Sequence, residues 1–72
     1  MTLREWLKTA DITHDEFARR MTARGIPTST PAVGKWVRGE RTPRRDAIQA
    51  IAAETDQAVP PASWFPDARA AE

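Results

Sequence analysis

Apolar residues recur along this chain at intervals of three and four positions, the spacing of one face of an α-helix. The first group is Leu3, Trp6 and Leu7, with charged residues between its members. It predicts an amphipathic helix over residues 3–10. No segment shows the strict apolar–polar alternation of a strand, so the pattern predicts an all-α fold.

A second helix is predicted between Thr13 and Gly25. Thr13 is followed three residues later by Glu16, a capping-box pattern that is typical of a helix start. Phe17 and Met21 mark the inner face of this helix. Gly25 is placed to end it, because glycine adopts the left-handed conformation that follows a helix without steric cost.

A third helix is predicted to begin at Ser29 or Thr30, either of which can cap it, with Pro31 in the first helical position. Gly39 is placed to end it. The apolar residues that line its inner face are Val33, Trp36 and Val37. A turn that contains Gly25 joins the second helix to the third, an arrangement typical of a helix-turn-helix unit.

A fourth helix is predicted to open at the cap-plus-proline pair Thr42–Pro43 and to end near Thr55. The residues that line its inner face are Ala47, Ile48, Ile51 and Ala52. Residues 61–65 are predicted to form one short helical turn.

The length of 72 residues suffices for one small domain. The expected architecture is a compact all-α bundle of four to five short helices. This domain is expected to occupy residues 1–65, with residues 66–72 as a flexible tail.

The composition excludes several classes of protein. The chain has no cysteine, so neither a disulfide framework nor a thiolate metal site is expected. It has no run of about 18 apolar residues and no apolar signal segment, so a cytoplasmic protein without a membrane span is expected. The one histidine, His14, lacks a set of catalytic partners, because adjacent side chains diverge on a helix. We therefore expect no enzyme activity, no cofactor and no bound metal.

The net charge of +1 conceals an uneven distribution. Residues 1–18 carry a net charge of −2 and residues 46–72 a net charge of −4. Residues 19–45 hold eight basic residues against Glu40 alone, a net charge of +7. This basic block spans the predicted helix-turn-helix, and such a block attracts polyanions. A solvated basic surface that binds nothing is the alternative explanation.

The outer face of the third helix lies opposite its apolar triplet and carries Pro31, Gly34, Lys35 and Arg38. The two small residues permit close approach to a DNA major groove, which is about 12 Å wide, while the two cations can reach guanine or phosphate. Residues at the start of such a helix meet base edges in the helix-turn-helix docking geometry. The predicted base-contacting residues are Thr28, Ser29, Thr30, Gly34 and Lys35.

Phosphate groups are predicted to bind at the starts of three helices, near Thr13, Thr30 and Thr42, because free backbone N–H groups favour anions there. The arginines that flank the last of these starts, and that would add ionic contacts, are Arg41, Arg44 and Arg45. A solubilising face is the alternative role for these arginines.

Two stretches of the sequence resemble Cro-like helix-turn-helix regulators, which are also called lambda-repressor-like or XRE-type. Residues 12–21 resemble the second helix of that family, and residues 32–43 look like its recognition helix and the loop that follows. The second stretch is the more specific, since a valine, a tryptophan and a glycine at three-residue intervals precede a Thr-Pro pair. Looser similarity extends the resemblance over residues 3–65.

The resemblance implies a small all-α domain that binds duplex DNA as a two-fold dimer on a palindromic operator. It places Ser29, Thr30, Gly34 and Lys35 at base-contacting positions, and Arg38, Arg41 and Arg44 at phosphate-contacting positions. His14 stands where the family often has a glutamine that contacts phosphate. The interval from Phe17 to Trp36 is longer than the family's usual spacing, which implies an extra turn of the second helix and a longer turn around Pro27.

The function that follows is sequence-specific DNA binding by a transcriptional regulator, most simply a repressor that acts as a homodimer. Trp64 and Phe65 are the candidate dimer contacts. The alternative is an antitoxin or a regulatory subunit that uses the fold mainly to bind a protein partner. The surface for that partner would be formed by the same two aromatic residues and the acidic C-terminal third.

Overall fold

Four α-helices and one 3-10 turn follow one another in the computed structural model, which describes residues 1–64. Their bounds are α1 Leu3–Ala10, α2 His14–Ala23, α3 Thr30–Arg38, α4 Arg45–Glu54 and the 3-10 turn Pro61–Trp64. No strand occurs within residues 1–64. The predicted all-α bundle of short helices is therefore confirmed. The tail predicted at residues 66–72, and Phe65 before it, lie outside the described residues.

Threonine side chains start the first two helices. The Oγ1 atom of Thr2 accepts a hydrogen bond from the N–H of Glu5 at 3.2 Å, and the Glu5 carboxylate accepts one from the N–H of Thr2 at 2.9 Å. The hydrogen bond from the Thr2 backbone lowers the pKa of Glu5. Thr13 caps α2, as predicted, and accepts from the N–H of Glu16 at 3.1 Å. The carboxylate of Glu16 bonds to Arg20 instead of closing a capping box.

The start of α3 is confirmed and the start of α4 is wrong by two residues. Ser29 caps α3 and accepts from the N–H of Ala32 at 3.2 Å. The cap predicted at Thr42 is absent, because the Thr42–Pro43 pair lies before the helix and the chain stays extended through Arg44 (φ −70°, ψ 163°) until α4 begins. The α4 start has no side-chain cap.

Glycines end the middle two helices in the predicted way. Gly25 follows α2 with φ +93°, and Gly39 ends α3 with φ +76°. Both values lie in the left-handed region, where a side chain is disfavoured. α1 ends differently, on Asp11 with φ +58°, a conformation that aspartate tolerates better than most residues.

The core lies where α1, α3 and α4 meet α2. Phe17 and Met21 of α2, Val33 of α3 and Ile51 of α4 are among its fully buried side chains. The ring of Trp6 meets the ring of Phe17 edge to face, with 5.9 Å between the centroids. This packing fixes how far each helix is rotated about its own axis, and so decides which residues face solvent.

A buried threonine holds the turn after α4. Thr55 is only 3% exposed, and two neighbours, Asp56 and Gln57, have positive φ angles of 53° and 68°. The hydroxyl of Thr55 donates to the carbonyl of Ile51 at 2.8 Å and accepts from the N–H of Val59 at 3.1 Å. One hydroxyl group thus forms hydrogen bonds with a backbone carbonyl of the last turn of α4 and with a backbone N–H of the turn that follows.

Replacement of Thr55 by valine should lower the free energy of unfolding by about 1–3 kcal/mol, because the buried N–H of Val59 loses its acceptor. Urea denaturation measures the change. Thr55→Ser keeps the hydroxyl and should lose less than Thr55→Val. Equal stability of Thr55→Val and the parent protein would contradict the role assigned to this hydrogen bond.

Candidate nucleic-acid interface

The outer face of α3 is exposed along most of its length. Pro31, Lys35 and Arg38 are exposed, whereas Val33 and Trp36 are buried against the core. Lys35 forms no ion pair within residues 1–64. Its ammonium group therefore faces solvent at the middle of this face.

Gly34 was predicted to permit close approach of a DNA groove, but it is buried beneath Arg38. A methyl group placed on Gly34 would lie 3.0 Å from Nη1 of Arg38. Helical side chains lean toward the N-terminus and cover the preceding turn, so Arg38 covers the residue four positions earlier. The Nε atom of Arg38 donates to the carboxylate of Glu40.

Three hydroxyl groups cluster at the start of α3, and each is engaged within the protein. Thr28 donates to the carbonyl of Ile26 at 2.8 Å, and Thr30 donates to Oδ1 of Asp15 at 3.1 Å. Ser29 accepts the capping bond and keeps its own proton to donate. The contact between Thr30 and Asp15 brings the start of α2 beside the start of α3.

Three adjoining grooves bring most of the predicted phosphate-contacting residues together. One groove lies between α1 and the start of α2, one between α1 and the end of α3, and one between the start of α3 and the start of α4. Arg4 and Arg38 line the first two grooves, and Arg41 and Thr42 line the last two. We call this surface the basic band. Its members are Arg4, Lys8, Thr13, His14, Arg38, Arg41, Thr42 and Arg44.

Arg45 is the predicted phosphate-contacting residue that the structure places apart from the basic band. It is exposed at the start of α4 and lies beside Ile48 and Pro61. Consecutive residues at a helix start point in different directions, so Arg44 joins the band while Arg45 does not.

Arg4 and Lys8 also belong to the basic band, although the sequence pattern predicted no role for them. They lie in the N-terminal segment of net charge −2, where acidic residues outnumber them, so the charge distribution did not indicate a basic surface there. Their spacing of four residues puts both on one face of α1. That spacing was the signal available in the sequence, but only the tertiary packing places this face beside α3.

Carboxylates neutralise half of the cations in the basic block. Arg20 and Arg24 of α2 both reach Glu54 of α4, at 3.3 and 2.8 Å. Arg19 pairs with Asp15 and Glu16, and Arg38 pairs with Glu40. The cations of residues 19–45 without an ion pair in the described chain are Lys35, Arg41, Arg44 and Arg45.

Of the two predicted dimer contacts, only Trp64 lies within the described residues, and it is not part of an exposed apolar patch. Trp64 is half-buried and packs against the domain's own core, and Phe65 lies outside the described residues. Among the large hydrophobic side chains of residues 1–64, only Met1 is exposed. The dimer stays a prediction.

Residues 1–64 contain no group of three or more histidine, aspartate or glutamate side chains that could hold a metal ion. In this part of the chain no helix has both the length and the apolar composition that a membrane crossing requires. No protein-family model, curated protein or solved structure matches the chain.

Arg44 and Arg24 provide a matched test of which cations are available to a polyanion. Arg44→Gln should elute from a heparin column at lower salt than the parent protein, because Arg44 has no carboxylate partner in the described chain. Arg24→Gln removes the same charge from a group that Glu54 already neutralises, so its elution should shift less. An equal shift for the two variants would contradict the distinction between paired and unpaired cations.

Proposed function

We propose that this domain binds duplex DNA sequence-specifically through α3 and the basic band, and serves as a transcriptional regulator, most simply a repressor. The observation that carries the proposal is the position of the unpaired cations. Lys35, Arg41 and Arg44 lie on or beside the exposed face of α3, whereas the paired Arg20 and Arg24 are tied to α4. This arrangement leaves uncompensated positive charge beside the face of α3, where it would attract a polyanion.

The dimensions of α3 suit the major groove. A helix with its side chains is about 10–12 Å across, and the groove is about 12 Å wide. Thr30 and Lys35 would then face base edges, the former through hydroxyl lone pairs and the latter through its ammonium group. Ser29 would reach the same edge of the groove from the helix start.

The basic band would contact the phosphates on both sides of that groove. The start of α2, at Thr13 and His14, presents backbone N–H groups to an anion, and Arg41, Thr42 and Arg44 supply the opposite side. Such contacts position the protein on the duplex and make its affinity depend on salt.

A homodimer on a palindromic operator completes the proposal. One reading helix covers only a few base pairs, and two half-sites separated by about one helical turn raise specificity. The alternative of a protein-binding module gains less support, since the unpaired cations beside α3 suit a polyanion.

Selection of bound sequences from a random duplex pool tests this function. We expect a palindromic motif whose binding weakens steeply as salt is raised. Absence of DNA binding, or binding without any sequence preference, would refute the proposal and favour a protein partner. A non-palindromic motif would refute the dimer alone.

Two variants then separate base contacts from phosphate contacts. Lys35→Ala should relax the preference at one position of the motif, whereas Arg44→Ala should weaken binding to all sequences and reduce the slope against salt by roughly 1. Arg24→Ala is the charge-matched control and should leave the motif unchanged. If Lys35→Ala and Arg44→Ala both bind DNA like the parent protein, the interface is wrongly placed.

A further inference from the structure

We propose that Arg38 contacts a base, and that its guanidinium group, laid over Gly34 and held by Glu40, donates two hydrogen bonds to guanine. The inference rests on the proposed DNA-binding function. It changes the role that the sequence and the basic band suggested for Arg38, which was contact with phosphate, and leaves the other members of the band in that role. It names guanine as the base that α3 selects at one position of the operator.

The position of Gly34 beneath Arg38 is the first observation that supports a base contact. The guanidinium group of Arg38 reaches back by one helical turn, and its Nη1 atom lies 3.0 Å from where a methyl group on Gly34 would be. An alanine at this position would displace the guanidinium group of Arg38 by a few tenths of an ångström. The charge of Arg38 therefore lies near the middle of the outer face of α3, where bases would be met, and not at the helix end.

The hydrogen bond between Arg38 and Glu40 is the second observation that supports a base contact. Glu40 accepts this bond from Nε of Arg38, and Nη1 and Nη2 form no hydrogen bond within residues 1–64. Guanine presents two acceptors, O6 and N7, in the major groove, and the paired N–H groups of an arginine match them. With Nε held by Glu40, the two terminal nitrogens are left to form that pair.

The backbone at the end of α3 keeps Glu40 in place. Gly39 has φ +76°, and the N–H of Glu40 donates to the carbonyl of Lys35 at 2.9 Å, which closes the helix end. The carboxylate that holds Arg38 thus stands on a fixed part of the backbone. A side chain held in place before binding loses less conformational entropy on binding.

Electrostatics separates a guanine contact from a phosphate contact. The carboxylate of Glu40 lies against the guanidinium group and repels an approaching phosphate, whereas the edge of guanine carries no net charge. Arg41 and Arg44 have no carboxylate partner in the described chain and are better suited to phosphate. Arg38 is the one cation of the outer face that the protein itself has oriented.

The test compares binding to the selected operator with binding to operators in which each guanine is replaced in turn. Arg38→Lys keeps the charge and loses the planar pair of donors. It should reduce the discrimination at one guanine by roughly 5- to 150-fold, the range of a bidentate contact. Arg41→Lys is the matched control and should leave discrimination at every position unchanged.

Two further variants leave Arg38 in place and disturb only its support. Gly34→Ala should weaken the preference for the same guanine, and it should not unfold α3, since alanine favours a helix more than glycine does. Glu40→Ala removes a negative charge, so it should strengthen binding to all sequences while it lowers the preference for that guanine. A residue with a merely structural role would not separate affinity from preference in this way.

The outcomes are distinguishable from a failure of the proposed function. If the parent protein selects no DNA sequence, both proposals fall. If it selects a motif and Arg38→Lys lowers affinity for all sequences alike, or leaves the preference at every guanine unchanged, DNA binding stands and the role of Arg38 as a base contact is refuted. Unchanged preference in both Gly34→Ala and Glu40→Ala would refute the supporting arrangement.

Discussion

The packing of one face of α3 against α2 is the contact on which the rest of the structure depends. Val33 is fully buried and Trp36 nearly so, beside Phe17 and Met21 of α2. Burial of such side chains contributes roughly 1.5–3 kcal/mol each, far more than any exposed ion pair on the opposite face. The apolar face therefore decides the rotation of α3, and the polar residues face solvent as a consequence.

Acidic residues determine which cations near the outer face of α3 remain unpaired. Arg20 and Arg24 share Glu54, and Asp15 and Glu16 of α2 pair with Arg19 and Arg20, so three carboxylates offset the three arginines of α2. Exposed ion pairs contribute little to stability, so their main effect here is on the distribution of charge. The positive potential of residues 19–45 is concentrated around α3 and the start of α4 because it is cancelled along α2.

The local features of the fold were predictable from the sequence, and the long-range ones were not. Caps such as Thr13 and Ser29, and the terminal glycine Gly39, act through neighbours a few residues away, so the patterns that predict them are short. The α4 start was misplaced because a Thr-Pro pair is also compatible with an extended segment, which is what residues 42–44 form. The pairing of Arg24 with Glu54 joins residues 30 positions apart, and no local pattern reports such a contact. The position of the Arg38 side chain over Gly34 was not predictable either. The four-residue spacing shows that the two residues are neighbours on the helix, but it does not show which conformation the arginine side chain adopts.

If the domain binds DNA as proposed, the ion pair between Arg38 and Glu40 affects the rates of association and dissociation differently. Cations without a protein partner, such as Lys35 and Arg41, would govern the rate of encounter with DNA and the movement along it, because these steps depend on long-range attraction. Arg38 already has its counter-charge and would add little at a distance. Its contribution would come only after docking, in the residence time at the correct site. Different side chains of α3 and its flanking residues would thus govern how fast the protein finds its site and how long it stays there.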